Sequence, residues 1–67
     1  MKRYIAQFMG HNSTDFSDIA DWATEKQARG HVLMTVNSNP RIKAGRVYDS
    51  VEEQVVGDVY YGEEDKK

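Results

Sequence analysis

Residues 26–48, which read KQARGHVLMTVNSNPRIKAGRVY, decide how this 67-residue chain is organised. The stretch contains no Asp or Glu, and its basic side chains are Lys26, Arg29, Arg41, Lys43 and Arg46. The next segment reverses the sign of charge, because residues 49–65 hold seven acids and no Lys or Arg. The net charge is only -2, so the segregation of charge is more informative than its sum.

The length of the chain is close to the lower limit for a self-supporting core. A domain of this size buries only about 60% of the surface that its unfolded chain exposes. Cysteine is absent, which excludes a disulfide framework and a thiolate metal site. We predict one domain over residues 1–62 and a charged, disordered tail at 63–67. No apolar run reaches the ~18 residues of a membrane span, so we expect a soluble, cytoplasmic protein.

The first two elements are predicted from the spacing of apolar residues. Residues 3–9 carry apolar groups at both odd and even positions, which is typical of an inner strand. Residues 15–29 carry apolar groups at helical spacing. Ser13 or Thr14 is suited to cap the start of this helix, and Gly30 is suited to end it.

The basic stretch itself is predicted to contain a β-hairpin. Residues 32–36 alternate in the manner of a second strand, and the sequence Asn-Ser-Asn-Pro at 37–40 is typical of a turn. Residues 41–48 then form a third strand, in which Gly45 marks a bulge or a second tight turn. The hairpin spans residues 31–48.

The region after Asp49 supports two interpretations. Ser50 and Glu53 match a capping box, which favours a short helix over 51–56 and a strand over 58–61. The valines and tyrosines of the same region are strong strand formers, which favours a strand throughout.

These elements predict an α+β fold in the order β-α-β-β-(α)-β. The arrangement is an abbreviated split βαβ unit, a small sheet with one long amphipathic helix packed on one face. If the second helix does not form, the result is a sheet of three or four strands with a single helix. Both alternatives belong to the α+β class.

Catalytic and metal-binding patterns are missing from the sequence. His11 and His31 are twenty positions apart without a carboxylate at a ligand-like spacing, and we interpret both as surface or turn residues. No HExxH, GxSxG or phosphate-loop pattern occurs. We therefore predict a protein without enzymatic activity, without a cofactor and without a metal.

Binding to another protein is the function that the charge pattern favours, because two oppositely charged regions can steer a charged partner. Trp22 lies at the margin of the apolar helix stripe, where it either covers the core edge or anchors a partner. The candidate partner-binding residues are Arg41, Lys43, Arg46, Tyr48 and Trp22. The candidate acidic patch comprises Glu52, Glu53, Asp58, Glu63, Glu64 and Asp65. A homodimer is a further alternative, and no membrane contact is expected.

Nucleic acid is the competing partner. A hairpin over residues 37–48 would bring three cations together, and Asn37, Asn39 and Tyr48 would add polar or stacking contacts to a phosphate backbone. The aromatic pair of a ribonucleoprotein motif is missing, and the net acidity opposes binding to a polyanion.

Two tripeptides carry a resemblance to a known group of proteins. Phe8-Met9-Gly10 ends the first predicted strand, and Trp22-Ala23-Thr24 lies in the predicted helix. With these tripeptides the chain resembles small accessory proteins of tailed phages, of the Dmd-like antitoxin type. The resemblance implies a non-enzymatic inhibitor or regulator that acts by binding a host protein directly.

Overall fold

A computed structural model describes residues 2–62 of the chain. The described elements are β1 (Tyr4–Gly10), β2 (Ser17–Trp22), α1 (Glu25–Ser38), β3 (Ile42–Asp49) and β4 (Gln54–Tyr61). They form a four-stranded sheet with the helix packed on one face, so the predicted α+β class is confirmed. The predicted tail at 63–67 lies outside the described residues.

The sheet has the spatial order β2-β1-β3-β4, and each neighbouring pair of strands is antiparallel. Because β1 is antiparallel to both of its neighbours, β2 and β3 run in the same direction on either side of it. The helix α1 connects these two parallel strands, which makes the unit a split βαβ arrangement. The predicted inner position of the first strand is therefore confirmed.

The helix begins ten residues later than the apolar spacing predicted. A helix over 15–29 is wrong, because the first part of that range forms the edge strand β2. Thr24 is the N-cap; its backbone is extended, and its Oγ1 accepts a hydrogen bond from the backbone N–H of Gln27 at 3.1 Å. The sequence T-E-K-Q at 24–27 is itself a capping box, a start signal that explains this position.

The predicted strand at 32–36, and the hairpin built on it, are wrong because α1 continues through this segment. The buried side chains of α1 are Ala28, Val32 and Val36, spaced four residues apart. Their burial against the sheet outweighs the strand preference of β-branched residues. Gly30 consequently lies inside the helix instead of ending it, and Pro40 follows shortly after the last turn.

The last two strands are joined by a short turn. β3 confirms the predicted third strand, whereas the predicted helix at 51–56 is wrong and the alternative strand interpretation is correct from the start of β4. Ser50, which was expected to cap that helix, instead donates its hydroxyl to the carbonyl oxygen of Arg3 at 2.8 Å. Glu53 ends the turn in the left-handed conformation, with φ of 58°.

The core lies between the sheet and α1. Its buried residues are Ala6, Phe8, Ala28, Val32, Val36 and Val47. Phe8 packs directly over Gly45 of the neighbouring strand, where an added methyl group would come within 2.9 Å of both Phe8 and Val32. We call the opposite side of the sheet the open face, because within residues 2–62 no helix packs on it.

Candidate binding surface

The open face consists of the strand residues that alternate with the core residues. On β1, for example, Ile5 and Gln7 point away from α1, whereas Ala6 and Phe8 point towards it. The strand register places the following residues on the open face: Ile5, Gln7, Met9, Asp18, Ile19, Asp21, Ala44, Arg46, Tyr48, Val55 and Tyr61.

A chain of polar contacts crosses three strands of the open face. The Nε of Arg46 donates to the Oε1 of Gln7 at 2.7 Å, and the Nε2 of Gln7 donates to the Oδ1 of Asp18 at 2.7 Å. The guanidinium of Arg46 also lies 4.0 Å from the centre of the Phe16 ring, a cation–π contact. These contacts hold Arg46 in one orientation at the middle of the face.

Apolar side chains surround this polar chain. Ile19 is 60% exposed and Tyr61 is 67% exposed, which is high for large apolar groups. Met9 on β1 and Tyr48 on β3 belong to the same face and are half-buried. The open face therefore contains tyrosine, methionine and arginine side chains, which are residue types enriched in protein interfaces.

The structure separates the predicted partner-binding residues. Arg46 and Tyr48 lie together on the open face, at alternate positions of β3. Arg41 precedes β3 in the loop after α1, and Lys43 is exposed near the start of β3. The predicted hairpin that was to gather the three cations does not exist, so they are spread along one strand and its preceding loop.

Trp22 lies on the helix side of the sheet. It packs against the core, and its indole Nε1 donates a hydrogen bond to the Nδ1 of His31 at 3.2 Å. The His31 ring also makes edge-to-face contacts with Trp22 and with Phe8, with ring centres 5.5 and 5.3 Å apart. His31 is thus a half-buried packing residue that fastens β2 to α1, rather than the surface residue predicted.

The candidate acidic patch is divided between two places in the described chain. Glu52 and Glu53 lie in the turn between β3 and β4, and Asp58 lies within β4. The other members, at 63–65, lie outside the described residues. Glu52, Glu53 and Asp58 are all exposed.

Asp49 has a structural role that the sequence did not indicate. Its carboxylate accepts two hydrogen bonds from Arg3, at 2.9 and 2.8 Å, although Asp49 is only 3% exposed. The bonds from Arg3 hold the pKa of Asp49 at about 2, below its ordinary value, and the backbone N–H groups of Glu52 and Val51 act in the same direction. The same contact raises the pKa of Arg3. The pair connects the first residues of the chain to the turn between β3 and β4.

A concave region lies at one end of the sheet. It is an open cleft of about 540 Å³ between the loop after β1 and the loop after α1, lined by Gly10, His11, Asn12, Ser13, Pro40 and Arg41. In residues 2–62, no three His, Asp or Glu side chains come close enough to hold a metal ion. No helix in this part of the chain has the length and apolar character needed to cross a membrane.

Comparisons with known proteins do not assign the chain to a family. No protein-family model matches the sequence, and no curated protein or solved structure gives a significant match. The resemblance to small phage proteins is untested by these comparisons and stays a prediction.

Several residues of the open face were not predicted from the sequence. Gln7 was assigned to a strand with apolar groups on both faces, and Asp18 and Ile19 were assigned to a helix, so none of them was predicted to lie on a binding surface. The signal that could have found them is the alternation in β1, where the polar Gln7 interrupts the apolar positions on one face. Gln7 is buried, and a buried polar residue in the middle of a central strand indicates hydrogen-bond partners on the neighbouring strands.

Proposed function

We propose that this protein is a small, non-enzymatic binding module that docks another protein on the open face of its sheet. The observation that carries the proposal is the side of the sheet on which, within residues 2–62, no helix packs: Ile5, Gln7 and Ala44 are buried there, and exposed Ile19 and Tyr61 lie around an oriented Arg46. Burial of such apolar and aromatic groups is the main driving force of protein association.

The fixed orientation of Arg46 supports a docking role. An arginine that must be immobilised on binding loses side-chain entropy, which weakens the complex. Here Gln7 and Phe16 already restrain the side chain, while the guanidinium carries further N–H groups for a partner. The centre of the face is therefore preorganised, and a partner gains contacts with little ordering cost.

Charge favours a protein over a nucleic acid as the partner. Arg46 on β3 shares the open face with two acids of β2, Asp18 and Asp21. Their carboxylates would repel a polyanion that approached this face. The aromatic groups Tyr48 and Tyr61 could stack on bases, as on other four-stranded sheets, but the flanking acids oppose the phosphates. A role as an inhibitor or regulator of a host protein, which the sequence resemblance implies, would work by the same docking.

The proposal is tested with two open-face variants and a matched control. Ile19→Glu and Tyr61→Glu each place a charge on the open face, whereas Met34→Glu places one on α1, where Met34 is already 70% exposed. Proteins captured by the tagged full chain are identified, purified and titrated against each variant. We expect binding to weaken at least about tenfold for both open-face variants and to be unchanged for Met34→Glu.

Other results of this experiment contradict the proposal. If all three variants bind the captured protein as tightly as the wild type does, the open face is excluded as the docking surface. A parallel titration with labelled single-stranded RNA and DNA at two salt concentrations provides the second criterion. Salt-dependent binding that is lost in Tyr61→Glu would make nucleic acid the partner instead. Circular dichroism of each variant verifies that the fold is retained.

A further inference from the structure

A cleft of about 240 Å³ on the open face has a shape and chemistry of its own. Its lining residues are Ile5, Asp18, Ile19, Ala20 and Asp21. A β-bulge accounts for it: Ala6 pairs with Ala20 and Gln7 pairs with Asp18, so Ile19 is an extra residue in β2. The extra residue bends the edge strand and turns Ile19 outward, which opens the space between Ile19 and the central strand β1.

The cleft has an apolar floor and an acidic rim. Ile5, which is only 6% exposed, lies at the bottom, and Ile19 forms one wall. Asp18 uses its Oδ1 to accept from Gln7, and within residues 2–62 its Oδ2 has no hydrogen-bond partner. Asp21 accepts from the backbone N–H of Lys2, which lowers the pKa of Asp21 and keeps it ionised.

The apolar floor and the acidic rim together limit which kind of chemical group can occupy the cleft. A purely apolar side chain would fill the floor but would remove water from two carboxylates without compensation. A metal ion would find too few ligands, since no cluster of three acids or histidines forms in residues 2–62. A lysine or arginine side chain satisfies both parts, because its aliphatic stem packs on isoleucine while its charged end reaches carboxylates at the rim.

We propose that this cleft receives a lysine or arginine side chain of the partner protein, so that the partner presents a basic segment to the open face. The inference rests on the proposed protein-binding function and specifies the chemistry of the partner. Arginine is the better fit of the two, because its planar fork can donate to the free oxygen of Asp18 and to Asp21 together. The charges of Asp18 and Asp21, which oppose a nucleic acid, thus become attractive contacts.

The test uses small probes and isotope-labelled full-length protein. N-acetyl-argininamide is titrated while backbone amide chemical shifts are recorded, and N-acetyl-norleucinamide provides a control with a similar stem and no charge. We expect saturable shifts at residues 5 and 18–21 with the arginine probe, weakened by added salt. Absence of these shifts, or equal shifts with the norleucine probe, would overturn the inference.

Two substitutions then separate charge from structure. Asp18→Asn retains an oxygen that can accept from Gln7 while it removes the charge, and Asp58→Asn removes a charge from exposed β4. We expect the arginine probe to bind about three- to fivefold more weakly to Asp18→Asn and equally well to Asp58→Asn. Equal weakening of probe binding by both variants would mean that binding depends only on net charge, which would overturn the inference that the cleft is the binding site.

The outcomes also distinguish this inference from the proposed function. If partner capture depends on Tyr61 but the arginine probe causes no shift at the cleft, the cleft inference fails and the docking surface stands. If the arginine probe binds but every open-face variant captures the partner protein as well as the wild type does, the proposed function fails instead. Sedimentation of the full chain tests whether the cleft is occupied by a second copy of this chain, which would present its exposed Arg41 or Lys43. A dimer abolished by Asp18→Asn would replace the foreign partner and overturn the proposal.

Discussion

Gly45 determines how closely the central strands and the helix approach one another. Gly45 has no side chain, so the Phe8 ring from β1 and the Val32 side chain from α1 occupy the space above it. The sequence predicted a bulge or a second tight turn at Gly45, and the register between β3 and β4 does shift between Gly45 and Val47. The packing role of Gly45 depends on a contact between three separate elements, and no local pattern can show such a contact.

Gly45→Ala should therefore destabilise the protein. The new methyl group would lie 2.9 Å from Phe8 and Val32, so one of these side chains must leave its preferred position. Overpacking of this kind costs about 1–3 kcal/mol, and we expect the urea midpoint to fall accordingly. An unchanged midpoint would show that Phe8 moves without cost.

Asp49 gives the molecule a stability that depends on pH. Its pKa is about 2 in the folded state and lies below the ordinary unfolded value of about 3.9. A depressed pKa contributes stability that is complete above the unfolded pKa and is lost as pH falls through the folded pKa. The contribution of Asp49 should therefore decline between about pH 4 and pH 2.

The measurement compares urea unfolding of the wild type and Asp49→Asn across this range. We expect the wild type to be more stable at pH 6, because Asn cannot accept the two charge-assisted hydrogen bonds from Arg3. The difference should shrink as the pH approaches 2. A difference that stays constant from pH 6 to pH 2 would contradict the role of the Asp49 charge.

The helix illustrates how much of an element can be predicted from sequence. A single long amphipathic helix was predicted correctly, but its position was not, since residues 15–22 show helical spacing and α1 contains β-branched residues. The capping box at 24–27 was present in the sequence and would have corrected the start. The identity of β2 was not recoverable in the same way, because an edge strand of Ser, Asp and Ala gains its structure from pairing with β1.

Gly30 permits a direct test of α1. The residue is exposed inside the helix, and an added methyl group would meet no atom within 4 Å. Gly30→Ala should stabilise the protein by about 0.5–1 kcal/mol, because alanine loses less backbone entropy than glycine on helix formation. Thermal and urea unfolding provide the measurement. Gly57→Ala is the contrasting variant: Gly57 has φ of 76°, which alanine adopts only with strain, so this substitution should destabilise the protein. Destabilisation by Gly30→Ala would contradict the helix assignment at this position.

At the scale of the whole molecule, a single helix completes the core on one side of a four-stranded sheet. The central strands β1 and β3 hold the buried sheet residues, and β2 and β4 form the two edges. Both edge pairings contain a register shift, at Ala6/Gln7 and at Gly45/Val47, which makes each edge irregular. Irregular edges disfavour strand addition, and they leave the open face as the better surface for a partner.

The unequal burial of the strands predicts unequal protection from amide hydrogen exchange. Amides of β1 and β3 should exchange only through global unfolding, whereas those of the mostly exposed edge strand β2 should also exchange through local opening. The hydrogen bond from Trp22 to His31 fastens β2 to the helix, so its loss should favour local opening. His31→Ala is therefore expected to speed exchange in β2 by about fivefold, which corresponds to the loss of about 1 kcal/mol. The matched control is Leu33→Ala, a truncation at a more exposed position of α1. Acceleration that is equal in β1, β2 and β3 would show that His31 supports the fold as a whole and does not specifically hold the strand that forms the cleft.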